Sequence, residues 1–299
     1  MVTMARMRHV SGAEAVSAAR KFRRYRPEEE RPIRDADLKT GSTAKLLGIW
    51  SQLDAIVDEH NYEPGSLYPK ALKKLKGLRC SAKDIEYMLA AFDSIREASK
   101  SGWFYETIGT FLSALINKAK EREFTLDTRL IHGEEIDELG YRNTKMLTIL
   151  GNAGTATGGC MRKGVLRVRG NSGYMTGCRM TGGLLIVEGD TGEETGYEMT
   201  GGKIIVRGSA WDSVGGQMRG GEIVVEGNAG SWIGCSEMGP DSDRLYSMTG
   251  GKVTINGKAG ADVGDDMQGG EIHLNGEFES IGNVISGRIF HKGKLIVDK

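Results

Sequence analysis

Apolar residues recur at helical spacing through the first part of the chain. Runs with apolar residues three or four positions apart follow Ser42, follow Ser81 and begin at Phe104, and each run predicts an amphipathic helix. Ser42 is a candidate N-cap, because serine is typical of that position. The sequence also predicts a helix that opens with the capping box Ser11–Glu14 and a short basic helix over Leu67–Leu78. Four or five such helices usually form a bundle.

The pattern changes near residue 140, after which apolar residues two positions apart recur with a 19-residue period. The intervals between coil starts are 19 residues except for one that is eleven residues longer, and the coils start at Lys145, Gly164, Gly183, Gly202, Gly221, Gly251 and Gly270. The third and fifth residues of each coil are aliphatic. Because residues two apart share one face of a strand, these two columns predict the interior of the repeat. The sixth residue is mostly polar and is predicted to face solvent.

A repeat of this regularity predicts a β-solenoid, which we interpret as a right-handed single-stranded β-helix of about seven coils over residues 141–299. Residues 1–140 are predicted to be a helical domain that caps the solenoid or docks a partner. The fold class is therefore α+β with two domains. We expect the helices to cover the first coil and to bury Met146, Leu147 and Ile149, because natural proteins cover an open sheet end.

Glycine and methionine each hold a fixed phase of the coil. The seventh residue is glycine from Gly151 to Gly276, which predicts a corner with a left-handed backbone that other residues tolerate poorly. A methionine column runs from Met161 to Met267 and predicts core packing, because the thioether adapts to irregular gaps. Of 44 glycines, most lie after residue 140, and this shift in composition places the domain boundary there.

Composition and charge narrow the function classes. The chain has 40 basic and 40 acidic residues, so no net field favours nucleic acid or a membrane surface as partner. Four cysteines are widely spaced and predict reduced structural thiols. The glycine runs lack the lysine and hydroxyl residue of a phosphate-binding loop. We therefore expect no catalytic, cofactor-binding or metal-binding residues, and the N-terminus, which lacks a secretory signal, favours a cytoplasmic protein.

The repeated motifs resemble a known module. Gly-Asn-Ala-Gly at Gly151–Gly154 and Gly227–Gly230, together with Met-Thr-Gly-Gly at Met180, Met199 and Met248, resembles the GXGXG β-helix family. That family includes the C-terminal domain of the glutamate synthase large subunit and the β-helical subunit of formylmethanofuran dehydrogenase, and the Met-x-Gly-Gly phase is more similar to the latter. The resemblance implies a non-catalytic module that holds catalytic subunits in place, with metal-pterin and iron–sulfur sites on other subunits.

The expected function follows from this resemblance. The leading hypothesis is a non-catalytic scaffold subunit of a cytoplasmic multi-subunit enzyme, an oxidoreductase complex of one-carbon metabolism like that of formylmethanofuran dehydrogenase. One alternative is a glutamate-synthase-like accessory domain protein that works with amidotransferase partners. Another is a homo-oligomeric architectural or binding protein with no enzyme partner.

The eleven-residue insertion between Gly234 and Met248 is the one departure from the repeat length. Arginine and tyrosine are enriched at interface hot spots, and proline limits the entropy lost on binding. We therefore predict a partner-docking loop whose candidate residues are Met238, Pro240, Asp241, Asp243, Arg244 and Tyr246. A tolerated surface loop is the alternative, since loop length costs little free energy.

Overall fold

The structure is a computed structural model that describes residues 42–57, 63–99, 102–131, 133–236 and 247–299. The helix predicted from Ser11 lies outside the described residues. The described helices are α1 Ser42–Asp54, α2 Pro64–Lys74, α3 Ala82–Ala90, α4 Phe92–Ala98 and α5 Phe104–Lys118. Ser81 caps α3, because its side chain accepts from the Asp84 N–H while the Asp84 carboxylate accepts from the Ser81 N–H at 2.9 Å. The basic helix α2 begins at Pro64, three residues before the predicted start.

Ten strands follow one another in a single sheet in chain order. They are β1 Glu123–Leu126, β2 Met146–Ile149, β3 Val165–Val168, β4 Thr181–Val187, β5 Gly201–Val206, β6 Arg219–Val225, β7 Thr249–Ile255, β8 Gln268–Leu274, β9 Ser286–His291 and β10 Lys294–Asp298. Pairs from β1 to β9 are parallel, and β10 turns back antiparallel to β9. The chain therefore forms a β-solenoid of about eight turns, as the 19-residue period predicts.

The predicted register is confirmed in the strand pairing. Leu147 pairs with Leu166 and Ile204 with Ile223, one coil apart. Across the insertion Ile223 still pairs with Val253, so the added residues leave the phase of the stack unchanged. The aliphatic side chains of both columns are buried along the whole solenoid, whereas most sixth-position residues are exposed. Burial of apolar area in these columns is the main stabilising term of the rod.

The sheet begins earlier than the repeat indicates. Strand β1 lies within the predicted helical half, and Phe124 on it pairs with Leu147 and closes the first column. Met146 is 48% exposed, so the prediction that helices bury it is wrong: its side chain is on the outer face of β2. Leu147 and Ile149 are buried, but the residues that pair with them are Phe124 and Leu126 of strand β1, not residues of a helix. The division at residue 140 stays a prediction.

Helix α5 packs against residues 138–144, which lie between β1 and β2, and hydrogen bonds join the helical part to the solenoid there. The Ser113 hydroxyl donates to the Glu138 carbonyl at 2.9 Å and accepts from the Gly140 N–H at 2.9 Å. Asn117 accepts from the Thr144 N–H at 3.0 Å. All these groups are buried or half-buried, so each bond also avoids an unsatisfied polar atom at the junction.

The left-handed glycines lie at a different phase from the predicted one. Of the seventh-position glycines only Gly151 has a positive φ, so the prediction of a left-handed backbone at this corner is wrong for the rest of the column. The constraint there is contact: a Cβ at Gly189 would lie 2.8 Å from the carbonyl oxygen of Gly170 in the coil before. Positive φ occurs instead at the first position, as at Gly202 with φ +92°. The Met180 methyl lies 2.8 Å from the place of a Cβ on Gly202, which explains why the buried methionine column needs that glycine.

Candidate partner-binding groove

The predicted docking residues lie outside the part of the chain that the structure describes: Met238, Pro240, Asp241, Asp243, Arg244 and Tyr246. Both ends of that segment are anchored. Ser236 is buried and its hydroxyl donates to the Glu194 carboxylate at 2.6 Å. The Ser247 hydroxyl donates to the Asp265 carbonyl at 3.0 Å. The insertion therefore leaves and rejoins the solenoid at two fixed points on one face.

The polar residues of the repeated Gly-Asn motif form a hydrogen-bonded ladder between coils. The Asn171 side-chain oxygen accepts from the Asp190 N–H at 2.9 Å, and Asp190 accepts from the Ser209 N–H at 2.7 Å. Asn228 continues the pattern by accepting from the Lys258 N–H at 2.8 Å. The motif thus satisfies backbone donors at a corner, which is a structural role.

A surface groove of about 560 Å³ crosses three coils beside this ladder. Ser172 and Thr191, which are buried, line it together with Gly192. Tyr174 and Trp211 also line it, and its exposed polar residues are Asn171, Asp190 and Glu193. The volume is in the range of natural ligand pockets, about 300–1,000 Å³.

Trp211 breaks the rule of its own column. The equivalent positions of the neighbouring coils are glycine: Gly154, Gly173, Gly192, Gly230 and Gly260. The last turn also departs from this pattern, because it has Glu279 there. A Cβ at Gly173 would lie 2.9 Å from the backbone of the previous coil, which is closer than real Cβ contacts come. Trp211 is 64% exposed, so burial of its ring contributes little to stability. A local rule broken without a gain in stability is expected at functional sites.

The groove is linked to the base of the insertion through one buried carboxylate. Glu194 is 2% exposed, and it accepts from the Tyr174 hydroxyl at 2.8 Å and from the Ser236 hydroxyl at 2.6 Å. Burial and the bond to Glu194 raise the pKa of Tyr174, so the phenol stays protonated. Its donated proton therefore fixes the ring that lines the groove. The two candidate regions, the groove and the insertion, share this support.

The groove is acidic. Asp190 and Glu193 line it, and none of its described lining residues is basic. One oxygen of Asp190 is used by the Ser209 N–H. Within the described part of the chain, the Glu193 carboxylate makes no hydrogen bond or ion pair. Two carboxylates beside an exposed indole favour a cation.

A second cluster of ionisable groups lies inside the junction of α5 and the first coil. Glu138 is 7% exposed, and one of its carboxylate oxygens has no hydrogen-bond partner. Burial, with smaller effects of Asp137 and Glu106, raises the pKa of Glu138 to about 8. Burial likewise raises the pKa of Cys178, which keeps that thiol protonated and poorly nucleophilic. No described pocket opens on these side chains.

The cysteines and the remaining acidic residues give no sign of metal chemistry within the described ranges. All four cysteines, Cys80, Cys160, Cys178 and Cys235, are free thiols. No group of histidine, cysteine and acidic residues in the described segments has the arrangement of a metal site. Of the helices described, none is both long and apolar enough to traverse a bilayer.

Fold and groove together define a β-solenoid with a helical N-terminal part and an acidic, tryptophan-lined surface groove. The chain matches no protein-family model and no curated protein. Sequence reasoning did not identify the groove. The signal was present, however, since Trp211 interrupts a column that is glycine in the three coils before it and in the two coils after it.

Proposed function

We propose that this chain is a non-catalytic scaffold subunit that holds the protein partners of a multi-subunit cytoplasmic enzyme. The proposal includes a right-handed solenoid of the GXGXG type, most similar to the β-helical subunit of formylmethanofuran dehydrogenase. The observation that carries it is the use of the repeated polar motif in the coil-to-coil ladder, for example Asn171 to Asp190. The residues that carry the resemblance are then structural, and a rigid rod with a groove on its surface remains for binding.

The burial pattern supports the same role. The aliphatic and methionine columns fill the interior of the coils, since their side chains are buried along the stack. A stack in which each coil contacts its neighbours is rigid along its length and offers an extended surface, as solenoid binding proteins do.

Purification of the full chain through an affinity tag from its native source tests the proposal. We expect catalytic subunits to co-purify in fixed ratio and to be identified by mass spectrometry. A metal-pterin oxidoreductase or formyltransferase partner supports the leading form of the proposal. Flavoprotein or glutamine amidotransferase partners would replace it with the glutamate-synthase-like alternative, and self-association alone would replace it with the architectural one.

A further inference from the structure

We infer that the groove beside Trp211 binds an arginine side chain presented by a protein partner. The inference rests on the proposed function and names the contact that the scaffold makes. Its starting point is the exposed indole at a position where the neighbouring coils have glycine. The ring is accessible to a partner, because Trp211 is 64% exposed.

Charge selects the ligand class. Asp190 and Glu193 line the groove with Trp211, and no described lining residue neutralises them. A cation over an indole face is attracted by the ring quadrupole, and carboxylates beside it add a direct charge pair. An anion or a second acidic surface would be repelled by both carboxylates.

Shape favours arginine among cations. The guanidinium is planar, stacks on aromatic faces and donates a fork of N–H groups to carboxylates. Tyr174 and Trp211 both line the groove, so a flat cationic group that enters it can contact an aromatic face. The ladder bond from the Ser209 N–H holds the Asp190 side chain, and Tyr174 is held by Glu194, so the groove is pre-formed. Pre-formed groups lose little entropy on binding.

The full chain offers matched variants. Trp211→Gly installs the residue that the neighbouring coils have, so it should leave thermal stability unchanged or raise it. Asp190→Asn with Glu193→Gln removes both charges while keeping the ladder acceptor, since asparagine does the same task at Asn171 and Asn228. Glu226→Gln is the control, because Glu226 is an exposed carboxylate outside the groove.

Titration of the ¹⁵N-labelled full chain with the peptide acetyl-Gly-Arg-Gly-amide tests the inference, read from the indole signal that Trp211→Gly removes. We expect saturable shifts of this signal with the arginine peptide. The affinity obtained from them should fall by about tenfold with the citrulline peptide and with the double charge variant, and should be unchanged in Glu226→Gln. Equal binding of the citrulline peptide, or no shift with the arginine peptide, would overturn it. Tighter binding of tetramethylammonium than of the peptide would also overturn it, in favour of a free cation.

The failure of this inference is separable from failure of the proposed function. If the wild-type chain purifies without partners, the scaffold proposal fails, but the peptide titration still tests whether the groove binds arginine. If the wild type and Trp211→Gly retain every partner in equal amounts, the scaffold stands and the groove is not its contact.

Discussion

Polar residues of the repeated Gly-Asn motif join neighbouring coils through side-chain hydrogen bonds, although several of them are exposed. Asn228 is exposed, and it would be read as a surface residue on its own. Its side-chain oxygen accepts the Lys258 N–H across the insertion, so it joins two coils that are far apart in sequence. A backbone donor at such a corner costs free energy when its acceptor is removed.

We therefore expect Asn228→Ala to reduce the free energy of unfolding by about 1 kcal/mol, measured by urea denaturation. Asn228→Asp is the matched variant, because it keeps an acceptor in the same place and should lose clearly less. Equal losses in the two variants would show that the ladder bond is not the cause.

Glu138 predicts a pH dependence of stability. The folded chain keeps the proton of Glu138 up to a pKa of about 8, whereas the unfolded chain releases it near 4.5. The unfolded state thus loses a proton that the folded state retains, and stability falls as pH rises between these values, by up to about 1.4 kcal/mol per pH unit.

Glu138→Gln removes this term. Its free energy of unfolding relative to the wild type should rise steadily from pH 5 to pH 8, whereas Glu226→Gln should follow the wild type. Denaturant titrations at these pH values measure the difference. A constant difference across the range would contradict a buried, protonated carboxyl at residue 138.

At the scale of elements, the strand columns set both the fold and its predictability. Two aliphatic residues per coil, repeated at a constant period, determined the register, and the pairing of Ile204 with Ile223 follows it. Strand β1 was not predicted, because its sequence matches the repeat only in part. Phe124 and Leu126 occupy the two aliphatic columns, but Thr128 lies where later coils have glycine. Sequence pattern does not separate a glycine needed for its φ from one needed for close backbone contact, so the corner at Gly189 was assigned to the wrong cause.

The columns predict the effect of truncation. Ile204 is fully buried, so Ile204→Ala should lower the free energy of unfolding by about 2–5 kcal/mol. Ile205, its half-buried neighbour on the outer face, is the control, and Ile205→Ala should cost clearly less. Similar losses at both positions, measured by denaturant unfolding, would refute the assignment of the inner face.

At the scale of the whole molecule, both ends of the solenoid are finished in different ways. Helix α5 covers the turn of the first coil through Ser113 and Asn117. At the other end β10 folds back antiparallel with an irregular register between Leu295 and Val297. Such an irregular edge discourages pairing with other sheets. Contacts with partners are then expected on the sides of the rod, where the groove and the two ends of the insertion lie.

The insertion can be removed without disturbing the stack, because Met248 already bonds back to the Gly234 carbonyl at 2.7 Å through its N–H. Replacing residues 236–246 by the short turn of a regular coil should leave the thermal melting curve nearly unchanged. Retention of partners by the shortened chain should fall in the affinity purification. Unchanged retention of every partner would show that the segment is only a loop.

The central claim, that the chain is a scaffold for partners, is tested most directly by the mass of its native assembly. Light scattering on material purified at native abundance gives that mass without any choice of ligand. The account predicts one defined mass, well above that of a single chain and accounted for by this chain plus co-purifying catalytic subunits in fixed ratio. A folded chain at the mass of one copy, free of other proteins, would contradict it.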